Sequence, residues 1–298
     1  MNQSVIIPTN IAQLILSRIK AYSLLAKTRL SLLVVFSSIM AYLFENIAFS
    51  WVSILLLGLG GFLVTASSNT INQILEKDTD KLMNRTKNRP LPSGNMTVIE
   101  ATIFAGITGV FGVGLLSFYF NPLSGLLAAL SLLIYAFIYT PFKRISPAAV
   151  FIGAVPGALP LLIGSTVATG HITLSGFILF VIQFLWQMPH FWAIAWVLND
   201  DYSKAGFKLL PSGKGKSRDA ALQILPYNIL LIIASVLPYV FGLAGSLSLV
   251  ISLICGFLFM YTAVQLCIDL TDKSAKKLMF ASFFYIPIVQ ISLVLDKL

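Results

Sequence analysis

Charged residues are scarce in this chain of 298 residues: aspartate, glutamate, lysine and arginine together make up 10% of it, whereas soluble domains contain ~25%. Hydrophobic residues make up 57%. This composition excludes an ordinary soluble protein and indicates an integral membrane protein. No hydrophilic stretch is long enough to fold by itself, so we expect one membrane-embedded domain over residues 1–298.

Cysteine and histidine are also rare, with two of each. Cys255 and Cys267 lie in or beside an apolar run, without a CxxC motif or a nearby histidine, which argues against a disulfide framework and a zinc site. The N-terminus lacks the basic, apolar and small-residue order of a cleavable signal. The first apolar span is therefore expected to direct membrane insertion.

Long apolar runs, by contrast, are abundant, and nine of them approach the ~20 residues that cross a bilayer as a helix. They lie at about residues 30–49, 52–75, 97–119, 122–140, 149–169, 173–199, 221–242, 245–267 and 277–295. Before them, residues 11–29 mix apolar and basic positions. These residues predict an amphipathic helix on the cytoplasmic surface, within an N-terminal segment of residues 1–29. The pattern predicts an all-α protein with nine transmembrane helices.

Lysine and arginine occur in alternate segments between these spans, and all 20 except Lys297 lie on the same predicted side. By the positive-inside rule, the N-terminus and the basic connections are predicted to be cytoplasmic. This distribution accounts for the net charge of +9, so no nucleic acid partner is expected.

The fifth span contains a run rich in glycine and proline, GAVPGALP, with Pro156 and Pro160 inside the predicted helix. Such residues in membrane helices allow close helix approach, or kinks where the backbone lines a cavity. We therefore predict one broken or bent helix beside a cavity.

The densest group of charges directly follows the second span and reads NQILEKDTDKLMNRTKNRPLPSG, residues 72–94. On a helix, Asn72, Glu76 and Asp80 drift only ~40° per four-residue step and line one face over ~12 Å. Such oxygen ligands suit magnesium, which commonly lies between one or two carboxylates and the phosphates of a substrate. Asp78 lies ~120° from Asn72 and joins the row only if the helix ends or bends nearby. For any single residue, interfacial capping is the alternative.

Cationic side chains surround and follow this row: Lys77, Lys81, Arg85, Lys87 and Arg89. Arginine is well matched to phosphate oxygens, so the segment predicts a site for a metal ion and a phosphate group. The connection YTPFKRIS adds Lys143 and Arg144 on the same predicted face. These two residues are candidates for phosphate contacts, and their alternative role is to anchor the topology.

A second acidic cluster ends the sixth span, where Asp200, Asp201 and Tyr202 follow FLWQMPHFWAIAWVLN at a predicted cytoplasmic helix end. Two acidic clusters four spans apart suggest an internal pseudo-repeat with one shared central site. Together they could hold two metal ions around one diphosphate.

Polar and aromatic residues also lie deeper in the sixth span: Trp186, Gln187, His190 and Trp192. An ionisable residue at membrane depth is a candidate for function, and His190 lies where the organic part of a substrate would bind. The alternative is a structural histidine, with Gln187 as its hydrogen-bond partner across one helical turn.

Taken together, NxxxExDxD and MxRTxxRPLxxG resemble the first signature of the UbiA superfamily of intramembrane prenyltransferases. The resemblance covers essentially the whole chain and implies nine helices around a central cavity that opens sideways to lipid. Within that superfamily, RTKNRPLPSG, YTPFKRISP, GAVPGALP and WQMPHFWAIAW with DDYSKAGFKLLP are similar to the branch that farnesylates haem.

The resemblance implies that farnesyl diphosphate and haem B are the substrates, and that the haem vinyl group accepts the farnesyl group with addition of water to give haem O. The implied magnesium ligands are Asn72, Glu76, Asp80, Asp200 and Asp201, and the implied diphosphate ligands are Arg85, Arg89, Lys143 and Arg144. His190 is a catalytic candidate, and the expected acceptor pocket contains Trp186, Gln187, Trp192 and Tyr202.

The implied location is the bacterial inner membrane, with active-site loops at residues 76–96 and 200–220 on the cytoplasmic side. A haem A synthase or a terminal oxidase assembly is a potential partner. Glu76 stands where many superfamily members have aspartate, which keeps the ligand and lengthens its reach. The second cluster, NDDYSKAG, departs from the DxxxD of the quinone-modifying branch.

Two alternatives remain open. A prenyltransferase acting on an aromatic quinone precursor would share the magnesium ligands and differ only on the acceptor side. A secondary transporter would also have many spans, broken helices and intramembrane polar groups. However, a transporter usually carries its key charges near the membrane midplane, whereas these acids lie at predicted helix ends.

Overall fold

The computed structural model describes residues 11–45, 49–212 and 215–298. The regular structure of this part of the chain is helical, apart from one isolated antiparallel bridge between Ala244 and Lys297. Residues 1–10 of the predicted N-terminal segment, residues 46–48 near the end of the first predicted span, and residues 213–214 of the second predicted loop lie outside the described residues.

The helices are α1 (Ile11–Ala26), α2 (Thr28–Phe44), α3 (Trp51–Leu75), α4 (Lys77–Asp80), α5 (Val98–Leu115), α6 (Pro122–Leu133), α7 (Thr140–Phe142), α8 (Ala149–Thr169), α9 (Leu174–Val197), α10 (Asn199–Lys204), α11 (Arg218–Leu222), α12 (Ile224–Val240), α13 (Ser246–Asp269) and α14 (Asp272–Leu295). Two π-helical segments prolong the spans that begin with α5 and α6: Leu116–Phe120 and Ile134–Tyr139.

The spans agree with the hydropathy pattern. In the described part of the chain, eight helical segments are long and apolar enough to cross a membrane, and the total is nine if the bent pair α1 and α2 forms one span. The axes of α1 and α2 differ by 51°, and the bend falls at Lys27, whose backbone is left-handed with φ of 47°. The predicted fold class, an all-α membrane protein, is confirmed. The orientation of the N-terminus stays a prediction.

Helix α8 is at the centre of the bundle, and most of its residues are buried. It packs against α2, α6 and α9. On one side, α3 packs against α2 and α5; on the other, α12, α13 and α14 follow one another, and α14 returns to α9 and α2. Many side chains on the outer surface of this arrangement are exposed leucine, isoleucine and phenylalanine, as expected of a surface that faces lipid.

The GAVPGALP run does not break the helix, because α8 runs without interruption through Pro156 and Pro160; the bend, the other form of that prediction, stays a prediction. Proline has no backbone N–H, so Pro160 leaves the carbonyl of Pro156 without its helical donor. The hydroxyl of Ser131 on α6 donates a hydrogen bond to that carbonyl at 3.1 Å. A neighbouring helix thus satisfies the polar group that proline frees, as the membrane interior requires.

The predicted orientation can be checked by cysteine labelling in intact cells. In a chain with Cys255 and Cys267 replaced by serine, we expect Ser93→Cys to react only with a membrane-permeant maleimide. His171→Cys, in the connection between α8 and α9, is expected to react with an impermeant reagent as well, because the positive-inside rule places these two connections on opposite sides. The reverse labelling pattern would contradict the assigned orientation.

Candidate active site

The predicted row of oxygen ligands spans the end of α3 and the short helix α4. Glu76 separates the two helices, with backbone angles of −96° and 6°, yet hydrogen bonds still run from the N–H of Glu76 to the carbonyl of Asn72 and from the N–H of Asp80 to the carbonyl of Glu76. The break therefore keeps the three side chains on one side. Asn72, Glu76 and Asp80 are all buried and line one cavity.

This cavity has a volume of about 190 Å³ and lies at the end of the bundle where α2 begins and α3 ends. It combines buried carboxylates, cations and aromatic rings. Its lining consists of Lys27, Leu30, Asn72, Glu76, Asp80, Met83, Arg85, Arg89, Tyr135, Tyr139, Lys143, Tyr202, Phe207 and Leu209. We call it the polar cavity.

Both carboxylates of the polar cavity form ion pairs. Lys143 Nζ lies 2.9 Å from Glu76 Oε1, and Arg89 Nη1 lies 2.7 Å from Asp80 Oδ2. Buried charges are tolerated only when they are paired and hydrogen-bonded. Within each pair, the cation and the carboxylate therefore hold each other in place. Two of the predicted diphosphate ligands, Arg89 and Lys143, are thereby held next to the predicted metal ligands.

A further cation, Lys27, lines the cavity although the sequence did not single it out. Its Nζ donates a hydrogen bond to Asn72 Oδ1 at 3.1 Å. The sequence placed it in a surface helix, whereas the bend between α1 and α2 brings it inward. The only feature of the sequence that could have indicated a role for Lys27 is its position directly before the first span. Basic residues that only fix the membrane topology occupy the same position.

Two tyrosines of the polar cavity lie on the π-helical segment Ile134–Tyr139. Tyr135 and Tyr139 are close, with ring centroids 5.3 Å apart, and Lys143 Nζ lies 4.6 Å from the centre of the Tyr139 ring. Gly153 of α8 allows this arrangement, because a Cβ atom there would lie 2.6 Å from the Tyr139 ring. Sequence patterns do not predict π-helical segments, which are frequent at functional sites.

Asp201, one of the predicted metal ligands, is not among the residues that line the polar cavity. Its Oδ1 accepts hydrogen bonds from the backbone N–H of Asn84 and from Lys204, and its Oδ2 accepts one from the backbone N–H of Arg85, all at 3.1 Å. The Arg85 N–H, with those of Asn84 and Lys204, lowers the pKa of Asp201. Asp201 thus joins α10 to the loop that carries Arg85, and Asp200 is exposed beside it. Metal binding by Asp200 and Asp201 stays a prediction.

Two other residues of the acidic and basic segments lie away from the polar cavity. The Asp78 side chain is 87% exposed and pairs with Lys81 at 3.1 Å, so the break at Glu76 does not bring it into the row. Arg144, a predicted diphosphate ligand, is exposed. It lines a neighbouring cavity of about 370 Å³ that shares only Glu76 with the polar cavity.

The predicted acceptor residues separate into three environments. The rings of Trp186 and His190 stack at 4.5 Å, and His190 Nδ1 lies 2.7 Å from Ser282 Oγ on α14. Gln187 donates instead to the carbonyls of Ala154 and Gln183, so its predicted hydrogen bond with His190 is wrong.

Trp192 and Tyr202 occupy the other two environments. Trp192 is buried in the hydrophobic core against Phe151 and Tyr227, because it projects from a different face of α9 than His190 does. Tyr202 lines the polar cavity and packs against Phe207, with ring centroids 5.9 Å apart. Of the predicted acceptor residues, only Tyr202 therefore lies beside the predicted phosphate site.

The donor set of the polar cavity fits a magnesium ion. Asp80 Oδ1 is buried and has no hydrogen-bond partner among the described residues, and such an orphaned anionic oxygen is costly unless a cation or water meets it. In the described part of the chain, no group of three or more histidine, cysteine, aspartate or glutamate residues could hold a metal. Two carboxylates with substrate oxygens are, however, a usual magnesium environment.

Comparison with known proteins defines the class. The sequence model of the UbiA prenyltransferase family matches residues 32–286. The chain therefore belongs to the UbiA prenyltransferase family. Among curated relatives, it is 48% identical over 283 residues to the protoheme IX farnesyltransferase of Cytophaga hutchinsonii, covering 95% of this chain and 99% of the relative. It is 44% identical over 278 residues to the protoheme IX farnesyltransferase of Christiangramia forsetii, covering 92% of each chain.

Solved structures support the same fold. A digeranylgeranylglyceryl phosphate synthase superposes with a TM-score of 0.79 at 24% identity, covering 93% of this chain and 98% of the other. A UbiA homologue from Archaeoglobus fulgidus, bound to GPP and Mg²⁺, gives a TM-score of 0.67 at 15% identity, covering 92% and 99% of the two chains. At these identities the likeness establishes the fold alone.

The anchoring role of Asp201 predicts a different result for two adjacent aspartates. We expect Asp201→Asn to weaken diphosphate binding about tenfold, which corresponds to ~1.4 kcal/mol, because the amide replaces a charged acceptor of two backbone N–H groups. Asp200→Asn, a matched control, is expected to leave binding unchanged. Titration calorimetry with inorganic diphosphate and magnesium measures both.

The pH dependence gives a second check on the same residue. A carboxyl group whose pKa is lowered in the folded protein contributes stability above its unfolded pKa of ~3.9 and loses that contribution as the pH falls through the folded value. The contribution of Asp201 to the free energy of unfolding should therefore be constant between about pH 5 and pH 8. A larger effect of Asp200→Asn than of Asp201→Asn would contradict the assignment.

Proposed function

We propose that this protein transfers the farnesyl group of farnesyl diphosphate to a vinyl group of haem B, with addition of water, to produce haem O and diphosphate. The observation that carries the chemistry is the polar cavity, where two buried carboxylates and four cations meet. The acceptor is proposed from the 48% identity to a protoheme IX farnesyltransferase over almost the whole chain.

The diphosphate is proposed to bind in the polar cavity. Lys27, Arg85, Arg89 and Lys143 are four cations facing two carboxylates, which leaves a cationic surplus for the phosphate oxygens. Asn72, Glu76 and Asp80 would hold magnesium, with the substrate completing its shell. When bound, magnesium would neutralise negative charge on the departing diphosphate.

The reaction then follows from ordinary carbocation chemistry. The allylic C–O bond breaks, and its electron pair leaves with the diphosphate oxygen. The π electrons of the haem vinyl group bond to the farnesyl carbon, and water adds to the cation that forms beside the porphyrin ring, losing one proton. Arg89 and Lys143 stabilise the leaving group, because both are held within hydrogen-bond reach of the carboxylates that line the same cavity.

The aromatic residues of the polar cavity protect the cationic intermediate. Tyr135, Tyr139, Tyr202 and Phe207 line the cavity, where they exclude water from the reacting carbon until the haem has added. Their ring faces also attract positive charge. Trp186 and Trp192, expected in the acceptor pocket, do not line this cavity.

The proposal extends to the membrane location of the protein and to the partner that receives the product. The distribution of lysine and arginine supports a cytoplasmic location for the loops at residues 76–96 and 200–220. The bacterial inner membrane is proposed from the similarity to bacterial relatives, and residues 1–298 are proposed to form one domain. A haem A synthase or a terminal oxidase assembly would receive the product, since haem O is an apolar compound that must pass directly to a binding protein.

The test is a product analysis with the purified, detergent-solubilised protein. Incubation with haem B, farnesyl diphosphate and magnesium is expected to yield a haem heavier by one farnesyl group plus water, measured by mass spectrometry. Asp80→Ala is expected to lower the rate ~100-fold or more, because it removes a buried charge at the leaving group. Asp78→Ala, a control in the same segment with an 87% exposed side chain, is expected to retain full activity.

Two outcomes would contradict the proposal. Farnesylation of an aromatic quinone precursor such as 4-hydroxybenzoate, with haem B left unmodified, would move the acceptor to that class and keep the polar cavity as the diphosphate site. Failure to release diphosphate with any acceptor, together with uptake of a solute into proteoliposomes, would favour a transporter.

A further inference from the structure

A buried polar pair lies between α9 and α14, outside the lining of the polar cavity. His190 Nδ1 is 2.7 Å from Ser282 Oγ. His190 is 9% exposed, and Ser282 is fully buried. An ionisable group at membrane depth lowers the stability of an apolar bundle, and such a residue is therefore a candidate for function.

The hydroxyl of Ser282 determines which nitrogen of His190 carries the proton. Ser282 Oγ also lies 2.5 Å from the backbone carbonyl oxygen of Met279, a distance that is attractive only when a proton lies between the two oxygens. A serine hydroxyl has one proton, and the carbonyl takes it. The same oxygen must therefore accept from His190, so Nδ1 carries hydrogen and Nε2 carries the lone pair.

The ring of His190 is fixed in orientation as well. Trp186 stacks on one face at 4.5 Å with the planes 16° apart, and Phe191 and Phe283 contact it at 5.5 Å and 5.4 Å between centroids. Trp186 itself donates a hydrogen bond to the backbone carbonyl of Ser282 at 3.0 Å. Nε2 has no hydrogen-bond partner among the described residues, so its lone pair is available to a ligand.

We infer that Ser282 is a positioning residue that presents His190 Nε2 as an axial ligand to the iron of haem B. This inference rests on the proposed function. Neutral imidazole with one nitrogen donating a hydrogen bond and the other free is the arrangement of histidine ligands to metals, including the proximal histidine of haem proteins. The structural alternative, a histidine used only for packing, leaves the Nε2 lone pair without a partner.

The surroundings of His190 suit a porphyrin. Phe280 and Phe283 lie on the outer surface of the bundle, 55% and 44% exposed, and contact each other at 5.9 Å between centroids. The outer surface beside His190 is therefore aromatic and apolar, which is the kind of surface that a flat apolar ligand dissolved in the bilayer would contact. From His190 to the end of α9 at Val197 is ~10 Å along the helix axis, so an iron bond at His190 would hold the porphyrin below the polar cavity.

The test is haem binding without farnesyl diphosphate, followed by absorption spectroscopy. The wild-type protein is expected to give the Soret band of histidine-ligated haem. His190→Ala is expected to lose that band and to regain it when imidazole is added. His171→Ala removes the only other histidine of the chain and is expected to leave the spectrum unchanged.

Ser282→Ala tests the positioning role. Removing a hydrogen-bond partner of a ligating histidine typically weakens metal affinity ~10- to 100-fold, so we expect haem affinity to fall by that factor. In resonance Raman spectra of the ferrous complex, the iron–histidine stretching frequency is expected to decrease, because Nδ1–H no longer donates to Ser282. A merely structural role of Ser282 would leave that frequency unchanged in the folded fraction.

A further measurement uses only the wild-type protein. Haem B is expected to bind at least ~10-fold more tightly than metal-free protoporphyrin IX, since the iron bond adds to the apolar contacts. Equal affinities, or an unchanged spectrum in a His190→Ala variant that still farnesylates haem B, would overturn the inference and leave the proposed function standing. Absence of haem binding and of product in the wild type would refute the proposed function itself.

Discussion

Two buried ion pairs at one end of the bundle, Glu76 with Lys143 and Asp80 with Arg89, are the interactions on which the rest of the site depends. The first pair joins segments 67 residues apart, the end of α3 and the turn after α7. The second joins α4 to the loop that follows it, nine residues along the chain. Removing one member of a buried pair typically costs ~3–5 kcal/mol, because the other charge remains buried and unpaired. The pairs therefore keep the cations and carboxylates together until diphosphate binds the cations and magnesium binds the carboxylates.

A buried carboxylate also stabilises the other end of the bundle, where its partners are hydroxyl groups. Glu45, just after α2, accepts hydrogen bonds at one carboxylate oxygen from Ser165, Thr173 and Ser175, at 2.6, 2.7 and 2.8 Å. Helix α2 thus reaches from Lys27 in the polar cavity to Glu45 and is fixed to α8 and α9 at its far end. At Glu45 three hydroxyl donors surround the buried carboxylate, whereas Glu76 and Asp80 are each stabilised by one cationic partner.

The sequence predicted the parts of this structure that depend on local patterns. The nine spans follow from runs of apolar residues, because a membrane helix must be apolar over ~20 residues whatever its neighbours are. Asn72, Glu76 and Asp80 could be grouped because they are four residues apart on one helical surface. Even the break at Glu76 did not separate them.

The parts that the sequence did not predict depend on contacts between distant segments. Lys27 reaches Asn72 only because the chain bends by 51° between α1 and α2. The oxygens of Asp201 are satisfied by backbone N–H groups of another loop, and no side-chain pattern records such bonds. The α8 helix continues through its prolines because Ser131 on another helix supplies a donor. Each case was settled by a partner more than 20 residues away.

The measurement that tests the account most directly is the binding of farnesyl thiodiphosphate, which resists bond cleavage, to the purified protein by titration calorimetry. We expect binding that requires magnesium and disappears in chelator, and we expect Asp80→Asn to remove this dependence on magnesium while the fold is retained. Equal affinity with and without magnesium in the wild type would contradict the claim that these buried carboxylates and cations form a metal and diphosphate site.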